Sequence, residues 1–248
     1  GTGKGAAGKH AVRTGAGNAR AATGDGLLAG IAKVGNAHVK GSGGDWTGPK
    51  RNGGESALHN HSMRAIQQVA YTSGKNATDS AMIIDAMDLL YSERFDGFCI
   101  VSSDSDFTRL ASRIREAGLM VYGFGETKTP KPFVSACDKF IYTEVLVGTE
   151  EDEDEAMPAP RTANELRGDS RLMNLLRNAI GAASDEHGGA ALGGVGSILS
   201  KRSPDFDSRN YGYAKLSGLI NGIGLFDVDE RQFGNAKHLY VRMRSKGK

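Results

Sequence analysis

The sequence predicts an α/β fold, a mostly parallel sheet flanked by helices, followed by a small winged helix-turn-helix domain. Three observations support that reading. From residue 55 to residue 146, short apolar runs that suit buried strands alternate with segments whose apolar residues recur at helical spacing. An acidic tract, Glu150–Glu155 (EEDEDE), then separates two basic blocks of the 248 residues; net charge is +3 over 1–149, −6 over 150–160 and +5 over 161–248. Beyond the tract, three helical patterns precede two strand-like runs, the outline of a winged helix.

Taken in order, residues 1–54 hold 16 of the 35 glycines, and residues 1–10 read as a flexible tail. Leu27, Leu28 and Ile31 stand at helical spacing, and Ala37–Val39 is a strand stub. Glu55–His61 suits a short helix and Arg64–Tyr71 (RAIQQVAY) a strand. Thr78 is placed to cap a helix over Asp79–Tyr91, whose Met82, Ile83, Ala86, Met87 and Leu90 form an apolar face. Phe98–Val101 is a short apolar run bounded by Gly97 and polar residues, as a buried parallel strand requires. A helix over Phe107–Ala117 stops at Gly118. Leu119–Phe124 then reads as a strand, Pro132–Cys137 as a short helix and Phe140–Val145 as a last strand.

In the second half, Leu172, Leu175, Leu176, Ala179 and Ile180 mark an amphipathic helix. Leu192–Leu199 marks a second, with Pro204 just beyond it, and Tyr211–Ile223 a third, ended by Gly224. Leu225–Val228 and Lys237–Met243 complete a hairpin. Domains are therefore expected over 11–146 and 169–244, joined by a solvated acidic linker over 147–168.

Composition narrows the class. Glycine is abundant but has no Gly-X-Y period, and only 6 prolines accompany it, which excludes a collagen-like fibre. No window approaches the roughly 18 apolar residues of a membrane span, and the basic start lacks the apolar segment of a secretory signal. Cys99 and Cys137 belong to no CxxC or His-rich pattern, so a reducing, cytoplasmic location is expected.

The residues that promise chemistry lie between strands and helices. Ser102-Ser103-Asp104-Ser105-Asp106-Phe107 follows the apolar run Phe98–Val101, at the strand end where open α/β sheets place their sites. Capping the next helix needs one such residue, whereas here two carboxylates stand two apart. Gly74-Lys75-Asn76-Ala77-Thr78-Asp79 occupies a second strand-to-helix junction. Asp79 alone would complement the helix dipole. Joined with Asp104 and Asp106, it completes a three-carboxylate cluster suited to Mg²⁺ or Mn²⁺ and a phosphodiester substrate. Lys75 is placed to meet a phosphate, while Asp85 and Asp88 read as solvated residues on the outer part of their helix.

Other candidates weigh less. His59 and His61 sit two apart on a helical segment and so point in different directions, Asp45 reads as a loop carboxylate, and Trp46 reads as cover for a sheet edge. In the second domain Lys201, Arg202, Arg209, Lys215 and Lys237 interleave with Tyr211, Tyr213 and Tyr240. That mixture suits RNA phosphates and base stacking, scattered surface charge being the plainer alternative.

Lys75–Asp79, the helix to Leu90, FDGFCIVSSDSDFTRLASRIREAG and KTPKPFVSACDKFIYTE together resemble an NYN domain, a PIN-like metal-dependent ribonuclease fold. LLRNAI, GGVGSILSKRSPDFDSRNYGYAKLSGLI, GLFDV and KHLYVR resemble the OST-HTH/LOTUS domain that follows it in a bacterial branch. The resemblance spans roughly 11–146 and 168–244. It implies Asp79, Asp104 and Asp106 as metal-binding carboxylates, Mg²⁺ or Mn²⁺ as cofactor, RNA as partner, and a winged helix that binds RNA. It also implies an apolar first strand ending in an Asp-x-Asp-Asn-like motif.

Matching register puts that motif at Gly15-Ala16-Gly17-Asn18, with Arg13-Thr14 where apolar strand residues belong. Asn18 is present as a candidate catalytic residue, and both carboxylates are replaced by glycine. Gly41-Ser42-Gly43 and Gly53-Gly54 also stand where bulkier residues are expected. The expected function is a metal-dependent ribonuclease that binds RNA and hydrolyses phosphodiesters at the Asp cluster. The alternative is a catalytically impaired RNA-binding or regulatory scaffold. Homo-oligomers or protein partners through the second domain stay open.

Overall fold

Five consecutive buried residues, GFCIV, make β4 (Gly97–Val101), and burial on both faces is what an interior parallel strand needs. The computed structural model describes residues 9–15, 26–27, 29–32, 36–44, 64–67, 76–146, 158–186, 188–233 and 236–244. Around β4 stand β1 (Lys9–Gly15), β2 (Asn36–Gly44), β3 (Arg64–Gln67), β5 (Met120–Gly125) and β6 (Lys139–Tyr142). Every pairing is parallel, in the order β3-β2-β1-β4-β5-β6. The winding direction reverses between β1 and β4. In such sheets ligands bind beyond the carboxyl ends of the strands at that switch point.

Alternation along β4 divides the core. Phe98 and Ile100 join Ala11, Met82, Ala86, Leu90, Leu110, Ile114 and Phe133 on one face. Cys99 and Val101 join Val12, Phe124, Ile141, Leu27 and Ile31 on the other. The first face is covered by α1 (Asn76–Tyr91), α2 (Thr108–Glu116) and α3 (Lys131–Ala136). Leu27 and Ile31, from the helical residues at 26–27 and 29–32, are buried as their spacing predicts.

Several expectations need correction. The reading of residues 1–10 as a tail fails at Lys9 and His10. Lys9 N–H donates to the Asp96 carboxylate at 2.7 Å, its carbonyl accepts from Asp96 N–H at 2.8 Å, and His10 is buried. Helix α1 starts at Asn76, so Thr78 lies within its first turn and does not cap it. The strand read over Phe140–Val145 ends at Tyr142, where a 3₁₀ turn, Thr143–Val145, begins. The glycine-rich 41–44 is a full member of the sheet, paired with β1 and β3; ladder hydrogen bonds on both sides outweigh its low strand propensity. The helix expected over Glu55–His61 lies outside the described residues.

The chain divides into two compact units, Gly1–Glu153 and Asp154–Lys248. The second holds α4 (Ala163–Gly168), α5 (Ser170–Ala183), β7 (Ala190–Ala191), α6 (Leu192–Arg202), α7 (Leu216–Ile223), β8 (Phe226–Phe233) and β9 (Ala236–Met243). Its three strands pair antiparallel in the order β7-β9-β8. Leu166, Leu172, Leu176, Val195, Leu199, Leu219, Ile220 and Val241 meet in one core. This is a winged helix-turn-helix.

Ordered structure in this unit starts before the expected boundary at residue 169. Helix α4 lies inside the 147–168 stretch, with Leu166 fully buried and Thr162 and Glu165 forming a reciprocal capping box. Hydrogen bonds from the Thr162 backbone N–H and hydroxyl hold the Glu165 carboxyl below its ordinary value. The helix read over Tyr211–Ile223 is interrupted. A 3₁₀ turn, Ser208–Tyr211, ends at Gly212 in the left-handed region (φ 81), and α7 starts only at Leu216.

Candidate metal centre and nucleic-acid surface

The apolar run of β4 ends at Val101, and the polar residues after it fold into a tight turn instead of extending the strand. Ser102 N–H donates to the Phe124 carbonyl at 2.9 Å. Ser102 Oγ accepts from Asp104 N–H, and the Asp104 carboxylate accepts from Asp106 N–H, both at 3.1 Å. Asp104 thus caps a 3₁₀ turn, Ser105–Phe107, which the buried Phe107 anchors to the core. Ser103 Oγ accepts from Glu126 N–H at 2.8 Å and joins this turn to the end of β5. Gly125 lets the two segments approach, because a Cβ there would collide with the Ser102 carbonyl. Ser102 and Ser103 were legible only as part of the acidic motif; their role as its scaffold emerges from these contacts.

Asp79 arrives from the first turn of α1, which follows β3 and crosses back over β1 and β2. Asp79 is half-buried, whereas Asp104 and Asp106 are exposed. Each of the three places one carboxylate oxygen within 4.8 Å of the other two. Carboxylates gathered so closely repel unless positive charge lies among them. A donor set made purely of oxygen suits Mg²⁺ or Mn²⁺ and disfavours thiolate-seeking ions. The donors therefore fit the ion that the sequence implies.

Asp85 does not stand free in solvent as expected. Its carboxylate pairs with the Arg13 side chain, which is buried under α1. Asn18, Lys75, Asp45, Trp46, His59 and His61 lie outside the described residues.

The thiols do not belong to this chemistry. Cys99 and Cys137 are buried, and burial pushes each up to about 12.

Residues 18–146 match the NYN domain, about half of the chain. The chain belongs to the NYN domain family. Residues 167–237 match the OST-HTH/LOTUS domain, a domain that binds RNA. The NYN match begins at Asn18, so β1, an inner strand of the sheet, precedes it. Among solved structures, a protein of unknown function from Vibrio parahaemolyticus is similar over 57% of this chain and 96% of its own, at 16% identity and TM-score 0.47. An uncharacterized protein from Nitrosomonas europaea matches 30% of this chain and 74% of its own at 41% identity, TM-score 0.28. A fragment from Chromobacterium violaceum matches 31% of this chain and 84% of its own at 35% identity, TM-score 0.27. No curated protein matches the chain. Among the described residues, no helix is long and apolar enough to cross a membrane.

The basic residues singled out in the OST-HTH domain fall into two groups. Lys201 and Arg202 are exposed in the last turn of α6, and Lys215 is exposed just before α7. Lys237 lies in β9, opposite Gln232. Arg209 and Tyr213, by contrast, are engaged within the domain. The Arg209 guanidinium makes two hydrogen bonds to Asp207, at 2.8 and 3.1 Å. The Tyr213 hydroxyl donates to the Arg161 carbonyl at 2.9 Å, and a Cβ on Gly222 would collide with that same hydroxyl. Both side chains therefore have partners within the domain, and both are half-buried.

Proposed function

We propose that this protein is a divalent-metal-dependent ribonuclease whose NYN domain hydrolyses RNA phosphodiesters while its OST-HTH domain holds the RNA. One observation carries the reading: three carboxylates from two separate junctions converge at the switch point of a parallel sheet in an NYN domain. Asp79, Asp104 and Asp106 hold Mg²⁺ or Mn²⁺. An ion held there would lower the pKa of a bound water and offset charge on the phosphodiester. Asp104, locked by its cap to the Asp106 backbone, keeps two of the ligands in fixed relation. Asn18 and Lys75, the other candidates the sequence offers in this domain, contact the substrate phosphate. Lys201, Arg202, Lys215 and Lys237 engage the RNA backbone.

Cleavage of labelled single-stranded RNA in Mg²⁺ or Mn²⁺, compared between the wild type and Asp106→Asn, tests this. The expected loss is at least about 100-fold, the scale of removing one electrostatic contributor from a preorganised site. Equal activity in both proteins removes Asp106 from the site.

A second reading is favoured by one specific observation. Gly15 ends β1 at the switch point and offers no side chain there. On that reading the domain is an RNA-binding scaffold that does not cleave, and wild-type protein binds RNA without turnover in either metal.

A further inference from the structure

The winged hairpin carries a charge-balanced surface suited to something other than phosphate. In the register of the hairpin, Asp229 faces Tyr240 and Arg231 faces His238, so Arg231 and Tyr240 are diagonal neighbours on one face. The Arg231 guanidinium carbon lies 4.2 Å from the centroid of the Tyr240 ring. The turn before β7 closes in beside it. Asp185 reaches Arg231 at 3.6 Å and accepts from Gly189 N–H at 2.9 Å. A Cβ built on Gly189 would stand 2.9 Å from the Arg231 Nη2 atom, so a side chain there would shift the guanidinium from this place. Three neighbours thus order a side chain that is ordinarily loose, although it is still 36% exposed.

Charge on this face is matched. Arg242 approaches Asp227 and Asp229 at 3.9 and 3.7 Å, and Arg244 bonds Asp227 at 2.9 Å. With Asp185 beside Arg231, three carboxylates answer three guanidinium groups. Such a surface exerts little long-range pull on a polyanion. What it offers is a planar guanidinium already held against an aromatic ring, the kind of plane on which an unpaired base stacks.

We infer that Arg231, held by Tyr240, Asp185 and Gly189, is a stacking platform for a nucleobase of single-stranded RNA on the wing of the OST-HTH domain. The inference rests on the proposal that this domain binds RNA, and it adds a site that reads bases where the exposed lysines read phosphates.

The test measures binding of a fluorescein-labelled single-stranded oligoadenylate to the full chain in chelator, across a salt series. Arg231→Ala weakens binding by about 5- to 100-fold, the range for losing one stacked base, and leaves the salt slope unchanged. Arg231→Lys loses nearly as much, because it keeps the charge and lacks the plane. Gly189→Ala keeps the arginine but displaces it, and also weakens binding. Tyr240→Phe keeps the ring and binds like the wild type. Full binding by Arg231→Lys with a shallower slope for Arg231→Ala makes Arg231 a phosphate contact and overturns the inference. Unchanged binding by Arg231→Ala overturns it as well while leaving RNA binding intact. A wild type that does not bind the probe overturns the RNA-binding proposal along with it.

Discussion

Arg13 on β1 and Asp85 on α1 form an ion pair across the sheet–helix interface, Nε to carboxylate at 2.5 Å, with the arginine side chain 3% exposed and the aspartate 36%. Arg13 also donates from Nη1 to the Val12 carbonyl at 2.9 Å. A buried guanidinium with its partner removed retains its desolvation cost without compensation. Asp85→Ala is therefore expected to destabilise the NYN domain by about 1–3 kcal/mol, less than the roughly 3–5 kcal/mol for a fully buried pair because solvent reaches Asp85. Arg13→Met combined with the same Asp85→Ala is expected to recover most of that loss. Calorimetric unfolding of the four members of the cycle measures the coupling; strictly additive losses would mean that the two side chains act independently.

The cap and the charge of Asp104 are separable. Asp104→Asn retains an oxygen able to accept from Asp106 N–H and is expected to leave the melting temperature nearly unchanged. Asp104→Ala loses the cap as well and is expected to cost about 1 kcal/mol. Stabilisation by added Mn²⁺, followed as a rise in melting temperature, should disappear in both. Retention of the full Mn²⁺-induced rise in Asp104→Asn would exclude that carboxylate as a ligand.

How much of this was legible is decided by what each signal depends on. The strand Gly97–Val101 and the acidic run after it are local, so an apolar run and a cluster of polar residues announce them. Asp79 could be joined to Asp104 and Asp106 because alternating strands and helices return each junction to the same edge of a parallel sheet. Arg13 was harder to read. A charged residue in a strand appears misplaced until α1 brings Asp85 to it, and that contact is 72 positions away in sequence. Helix α4 was hidden for another reason. The acidic tract dominates the composition of its surroundings, although Thr162-Ala163-Asn164-Glu165 spells the capping box in plain view. The intradomain partners of Arg209 and Tyr213 were not legible, because residue type reports what a side chain can do, while packing decides which partners it has.

Burial of the two thiols makes alkaline pH a probe of the sheet. In the folded protein Cys99 and Cys137 titrate at about 12 against an ordinary value of 9.0. Their raised folded values contribute stability that is fully present below pH 9.0 and is lost as pH rises towards about 12. The urea midpoint of the NYN domain should fall through that window, and Cys99→Ala should flatten the fall. Near neutral pH both thiols should resist iodoacetamide until the domain unfolds. Rapid labelling of either cysteine in the native protein at neutral pH would contradict the burial on which this rests.

Gly15 offers the sharpest test of how many carboxylates the site needs. It is the last residue of β1, paired with Gly43 of β2, and β1 borders β4 at the switch point. A carboxylate introduced there would join the end of the sheet where Asp104 and Asp106 already stand. Gly15→Asp combined with Gly17→Asp is expected to tighten Mn²⁺ binding by about tenfold or more, since affinity for hard cations rises with the number of charged oxygen ligands. It is also expected to raise RNA cleavage at limiting metal. Titration calorimetry with Mn²⁺ and a cleavage assay on the same preparations separate the two effects. If the parent cleaves RNA, three carboxylates suffice and the glycines only moderate the rate. If the parent is inert and the variant cleaves, the NYN domain of this chain is a scaffold that two substitutions return to catalysis. Unchanged Mn²⁺ affinity in the variant would place the cation away from the end of β1, and Asp79, Asp104 and Asp106 would then have to bind it without help from that strand.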